Sequence, residues 1–427
     1  MALLLILSVG CGLGGPDPAH TADAIYSGGD IIAMEGDSPV YVEALAIKEG
    51  NILFVGSKAD AEKVKSTTTK MNDLQGKTLV PGLFDGHSHF VGFGAQAVGA
   101  NLLASPDGNA NSIDDVVNEL KSWYAKNGTD MTNGWIFGMS YDDAVLKEGR
   151  HPTKIDLDKV STEVPIVIVH ISGHFCVMNS EALAISKITA ASKDPQGGII
   201  RRMPGSREPN GVLEELAAIP VYVPIISPTG PKQIDYFMDK GQELAVSFGY
   251  TTAQEGRAMT NHEMLASYAK EGKLKIDVVS YIDYAFSKYM KSEWYGRDYK
   301  NHYRIGGLKL TLDGSPQGRT AWRTIPYLIP PEGQKTGYKG YPAIPDDNKV
   351  KEVMDEAFAH NWQMLAHANG DAAIDQYIRC MKPAIEKYAN NDRRNVLVHG
   401  QFMRMDQLET LREMKVIPSL FPMHTFY

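Results

Sequence analysis

Cysteine is scarce: Cys11, Cys176 and Cys380 are an odd set scattered over 427 residues. That excludes a disulfide framework and a CxxC metal knuckle, and the last two read as core thiols. No stretch beyond the first residues approaches the ~20 apolar positions that a membrane-spanning helix needs, so the body of the chain is expected to be soluble. Positive charge is not in excess either. Forty-three Lys and Arg stand against 51 Asp and Glu, a formal net charge of −8. No basic run is dense enough to track phosphates, so no nucleic-acid partner is expected. What the chain does have is apolar content, 43% hydrophobic against 22% charged, enough to bury a large core and too much for a tail or linker.

The first ten residues, Met1 to Gly10, form a short apolar run ending directly before Cys11 and Gly-Leu-Gly-Gly-Pro-Asp. This resembles a bacterial lipoprotein signal, which implies a lipid anchor at Cys11 and a place in the cell envelope or periplasm; without it the expectation is cytoplasmic. No Lys or Arg precedes the run, and Ser8 stands where such signals usually carry Leu, so a truncated or mis-started N-terminus competes with that reading. Residues 1–21 are set apart as this segment.

From 22 to 78 the pattern is short, strand-like and rich in turns (Gly28-Gly29, Gly36-Asp37, Glu49-Gly50-Asn51), which predicts a small β unit. The run Gly76 to His89 reads as a strand delivering polar side chains to a site. From residue 245 short β-rich runs alternate with amphipathic helical segments: Gly249 to Glu255, Ile276 to Ile282, Gly307 to Gly314, Gln363 to His367, Asn395 to His399 and Val416 to Leu420. Such alternation implies βαβ crossovers and a parallel sheet covered on both faces. With the His87 strand the count is seven, one short of a closed (β/α)8 TIM barrel. Residues 90–245 break this rhythm and read as a long structured insertion after the first strand.

His87 and His89 lie two apart at a strand end and so share a face; His367 and His399 end two later strands. Four imidazoles at the C-terminal ends of three parallel strands suit zinc or a similar divalent metal. Lys309, in an alternating strand, points into the same interior, where an unpaired ammonium is expensive. Two outcomes stay open: an ammonium paired with a carboxylate such as Glu255, or a carbamate formed with carbon dioxide that bridges two metals.

Val80-Pro-Gly-Leu-Phe-Asp-Gly-His-Ser-His89 resembles the first-strand motif of the amidohydrolase superfamily. Gly173 to Ser180, Glu208 to Glu214, Gly249 to Thr252, Lys309 to Ser315, His367-Ala-Asn-Gly-Asp371 and Val398 to Gln401 resemble its YtcJ-like branch, which includes N-substituted formamide deformylases. The resemblance runs from about residue 22 onward. It implies a TIM barrel over 79–427 with a small β-sandwich. It also implies one or two divalent metals, most simply Zn2+, on His87, His89, Lys309, His367 and His399. The implied activity is hydrolysis of non-peptide C–N bonds in small linear amides or N-substituted formamides by metal-activated water; a deaminase, a cyclic-amide hydrolase or a non-catalytic binding protein on the same barrel are the alternatives. The family's strand-eight aspartate has no match, and Val398 stands where many relatives carry an acidic residue. The expectation is therefore a fragment, inactive and poorly soluble alone. Lys309, His367 and Asp371 are the candidate catalytic residues, with Asp313 and Asp371 also readable as acidic residues at helix starts. Tyr141, His174 and Arg319 are the candidate substrate contacts, and a homodimer is the expected assembly.

Overall fold

A computed structural model describes residues 20–195, 198–331, 334–388 and 392–421. Cys11, with the anchor expected on it, lies outside these. Two compact units divide between Leu83 and Phe84. In the first, β1 (Ala24–Ile32), β2 (Tyr41–Lys48), β3 (Asn51–Gly56) and β4 (Lys70–Asp73) form one sheet in the order β3-β2-β1-β4. Glu49 and Gly50, the two-residue loop between β2 and β3, both have positive φ (49° and 76°), as a type I′ hairpin turn requires. Ile25, Ala44 and Ala46 bury against Ala61 of the short helix Lys58–Ala61. Among the described residues this unit is a single helix-backed sheet, over the stretch expected to supply part of a small β-sandwich.

The strands of the second unit begin with β5 (Leu83–Phe84, at the boundary), β6 (Ala100–Asn101), β7 (Ile136–Tyr141), β8 (Ile166–His170) and β9 (Phe175–Met178). There follow β10 (Gly198–Arg202), β11 (Pro209–Glu215), β12 (Tyr250–Ala258), β13 (Asp277–Asp283) and β14 (Tyr303–Thr311), then β15 (Gln363–Ala368), β16 (Val396–His399) and β17 (Ile417–Leu420). Seven of them make one sheet in the order β17-β16-β15-β14-β13-β12-β5, and every step from β12 to β17 is parallel. The sheet is curled. β5 and β16 stand five steps apart, which at ~4.8 Å per step is about 24 Å in a flat sheet. Yet the ring of His87, just past β5, lies 5.3 Å from the ring of His399 at the end of β16.

Helices between the strands cover the outer face. Val350, Val353, Met354 and Ala357 in helix Asp347–Ala359, and Ile374, Tyr377, Ile378 and Met381 in helix Asp371–Lys387, follow the i, i+3, i+4, i+7 spacing of one helix face. They share a core with Leu308, Leu310, Met364, Ala366 and Leu397 from the strands. Each of the Val, Leu, Ile and Met side chains contributes about 1.5–3 kcal/mol by leaving water.

The 90–245 segment builds a second sheet, ordered β10-β11-β9-β8-β7-β6. β6, β7 and β8 are parallel, and β9, β10 and β11 add antiparallel steps. β8 is buried along its whole length, which is why Ile166-Val-Ile-Val is apolar on both faces. Helices Phe90–Val98 and Pro231–Ser247 pair at the two junctions of this segment with the curled sheet. Their closeness rests on small residues: a Cβ on Gly94 would fall 2.7 Å from the Phe237 carbonyl oxygen. Among the described residues no helix is long and apolar enough to cross a membrane. Gly94→Val is expected to cost roughly 1–3 kcal/mol by forcing these helices apart, read as a lower urea midpoint at unchanged slope; an unchanged midpoint would disprove tight packing there.

Candidate metal centre

β5 stops at Phe84, so His87 and His89 project from the 85–89 segment beyond the regular strand, and its shape is set by hydrogen bonds to β12. The Asp85 carboxylate accepts the Gln254 N–H (2.9 Å) and the Ser88 hydroxyl. The Gly256 N–H donates to the Ser88 carbonyl at 2.8 Å. Only glycine fits at 256, because a Cβ there would lie 2.4 Å from Cε1 of His87. Gln254 turns the His87 ring: Nδ1–H donates to Oε1 at 2.6 Å, which leaves the Nε2 lone pair toward the Lys309 Nζ, 3.3 Å away.

The four expected imidazoles come together. Ring centroids are 5.6 Å apart for His87 and His89, 5.3 Å for His87 and His399, and 4.7 Å for His367 and His399. His399 ends β16 with φ +77°, backbone strain of a kind that collects at functional sites. His367 donates Nε2–H to the Gly314 carbonyl at 3.0 Å, so its lone pair is on Nδ1. Burial, and then the charge of Lys309, push His87 down to about 2, keeping it a neutral donor at working pH.

Lys309 is 2% exposed, and among the described residues no carboxylate oxygen lies within 4.0 Å of its nitrogen. Glu255, the carboxylate expected to pair with it, instead faces His89 (3.5 Å) and accepts the Val91 N–H (3.0 Å). Burial, with Arg257 adding to it and Glu255 and Asp283 opposing, draws Lys309 down to about 7. Four converging imidazoles, the His87 ring fixed by Gln254, beside a buried amine are a donor set that fits a divalent metal.

His89, His367 and His399 reach the wall of a cavity of about 720 Å³, and so do His174 and Arg319. His174 is held by Glu215 at 2.8 Å. Tyr141 is fully buried behind the wall, its hydroxyl 3.0 Å from Nδ1 of His151. Asp371 opens helix Asp371–Lys387 and faces away from the imidazoles: its carboxylate accepts the Thr324 N–H (2.9 Å), the Thr324 hydroxyl and Nη1 of Arg404 (3.2 Å). Asp313 accepts three backbone N–H groups, from Trp322, Asn369 and Gly370, and so ties the loops after β14 and β15 together. Gln254 is not legible as a site residue in the sequence, and Glu255 enters there only as a partner for Lys309; the signal for both is the polar ending of the Gly249 to Glu255 run.

Residues 70–427 match the amidohydrolase family. The chain is 25% identical to the putative amidohydrolase YtcJ of Bacillus subtilis, over 93% of this chain and 73% of that protein. It is 30% identical to an N-substituted formamide deformylase of Arthrobacter pascens, over 41% of this chain and 31% of that one. A solved uncharacterized metal-dependent hydrolase of Pyrococcus horikoshii superposes with a TM-score of 0.68 at 23% identity, covering 93% of this chain and 74% of the other. The curled sheet therefore shares its fold with a solved metal-dependent hydrolase. The chain belongs to the amidohydrolase family.

The geometry leads to two expected outcomes. Gln254→Leu frees the His87 ring and is expected to weaken zinc retention about 10- to 100-fold in competition with a chelator; unchanged retention would show that the contact does not orient the ring. In metal-free protein, Lys309 with a folded value near 7, below its ordinary 10.5, leaves the unfolded chain holding one more proton between those values. Stability should rise with pH across that window, with the full cost of burial present below it. Lys309→Met should flatten the rise in urea midpoint, and an identical pH dependence in the variant would count against this origin.

Proposed function

We propose that this protein hydrolyses the C–N bond of small linear amides, N-substituted formamides in particular, taking up one water and releasing a carboxylic acid and an amine. The observation that carries the reading is the convergence of His87, His89, His367 and His399 with Lys309, the last three imidazoles reaching the cavity wall. These residues would hold zinc, which nitrogen donors favour. A bound zinc ion supplies hydroxide near neutral pH by lowering the pKa of its water toward ~7, and it polarises the carbonyl under attack.

The chain's own groups do the rest. Lys309, near neutrality at pH 7, has a lone pair with which to add to carbon dioxide; the new N–C bond releases one proton and turns the amine into an anionic carbamate able to bridge two metals. Arg319, on the cavity wall, is suited to hold the carbonyl oxygen, and His174, fixed by Glu215, to exchange a proton with the leaving nitrogen. Leu103, Val145, Ile171 and Phe175 give the cavity an apolar side for an N-substituent. The similarity to the Arthrobacter deformylase supports the linear-amide class. The curled sheet is read as seven strands of a (β/α)8 barrel, and the pattern of residues 1–11 supports a place in the cell envelope.

The test is formate release from a panel of N-substituted formamides, beside cyclic amides and aminopurines, by zinc-loaded protein. Formamide turnover is expected, with His367→Ala losing both bound metal and at least about 10²-fold in rate. Turnover of cyclic amides or aminopurines alone would replace the substrate class. Protein that retains no zinc and turns over nothing would leave a binding role.

A further inference from the structure

We infer that Asp142, Asp143 and His170 form a second divalent-cation site, carried by the 90–245 sheet and separate from the imidazole centre. β7 ends at Tyr141 and β8 at His170, and the two residues are register partners on adjacent parallel strands. Asp142 and Asp143 follow β7 directly, so all three side chains leave the C-terminal ends of neighbouring strands, where ligands of open parallel sheets collect. One ligand atom from each lies within 4.8 Å of the other two.

Two further observations point to a cation. His170 is 6% exposed and aims Nε2 at the carboxylates, 3.1 Å from Oδ1 of Asp143 and 3.5 Å from Oδ1 of Asp142, yet that nitrogen has no aligned hydrogen bond among the described residues. Adjacent carboxylates also repel, and no Lys or Arg nitrogen among the described residues lies within 4.0 Å of either; beyond His170, the ion-pair neighbour is His151, 3.5 Å from Asp143. Arg201, on the same cavity wall, is taken by Glu214.

The donors are two carboxylate oxygens and one imidazole nitrogen, with the cavity open on the remaining side. Such a set takes a borderline ion such as zinc or manganese and leaves positions for water or a substrate oxygen. Binding also fixes the tautomer. Nδ1 of His170 accepts the Ser172 N–H at 3.1 Å in the metal-free form; with Nε2 coordinated, Nδ1 carries the proton and donates it to the Ser172 hydroxyl at 2.8 Å.

The experiment titrates the metal-free full chain with zinc, counting bound metal after equilibrium dialysis and following the 15N resonances of His170. The double variant Asp142→Asn, Asp143→Asn, matched to the parent in circular dichroism, is expected to bind one equivalent fewer, while His367→Ala loses a different equivalent and keeps this one. If the double variant fails to fold, His170→Gln takes its place with the same expectation. Equal stoichiometry in parent and variant, or a His170 tautomer indifferent to zinc, overturns the inference and marks the cluster as imidazole–carboxylate ion pairing alone. Formamide turnover is scored separately, so loss of this site and failure of the proposed activity are distinguishable.

Discussion

The amine of Lys309 is buried with no carboxylate oxygen among the described residues within 4.0 Å of it, and the mouth of the curled sheet is arranged around that constraint. A charged ammonium at this depth would be strongly unfavourable, so the group sits near neutrality and its nearby polar contact is Nε2 of His87. The Lys309 amine donates to the Nε2 lone pair of His87 at 3.3 Å, so the two nitrogens stand where a cation could take both. The Gln254 contact and the missing Cβ at Gly256 both serve that arrangement by fixing the His87 ring.

The two sheets of the second unit solve the same placement problem in the same way. In the curled sheet, β15 and β16 pair Ala368 with His399, so His367 and His399 emerge at nearly one height. In the other sheet, the pairing of Tyr141 with His170 brings Asp142 and Asp143 beside the imidazole. Parallel pairing aligns C-terminal ends, and chemistry-bearing residues just past those ends face a common space without any loop having to travel far.

The order of the seven strands was legible because each is a short apolar run between helical segments with their own period, and both signals are local. The four histidines were legible because they punctuate those runs. The first strand was harder. Pro81 and Gly82 cut its ladder short, and Asp85 and Ser88 shape the segment beyond it through bonds to a strand more than 160 residues away. Gln254, and the contacts that Glu255 makes in place of Lys309, were hidden for the same reason, since their work exists only once β12 lies beside residues 85–91. Asp371 follows His367 by only four positions, as a proton carrier would, but Arg404 and Thr324 draw its carboxylate aside. The cluster at Asp142 spans two neighbouring strands separated in the sequence by a helix and its loops, and only their pairing makes it one.

The cavity has two walls of different origin. One is laid down by the curled sheet and carries the imidazoles; the other comes from the sheet hung between the helices Phe90–Val98 and Pro231–Ser247. Each wall has a core of its own, Leu308 and Met364 in one, Val167 and Leu213 in the other. A substitution inside one core therefore leaves the other wall resting on its own packing, so the two sides of the cavity can be repacked one at a time.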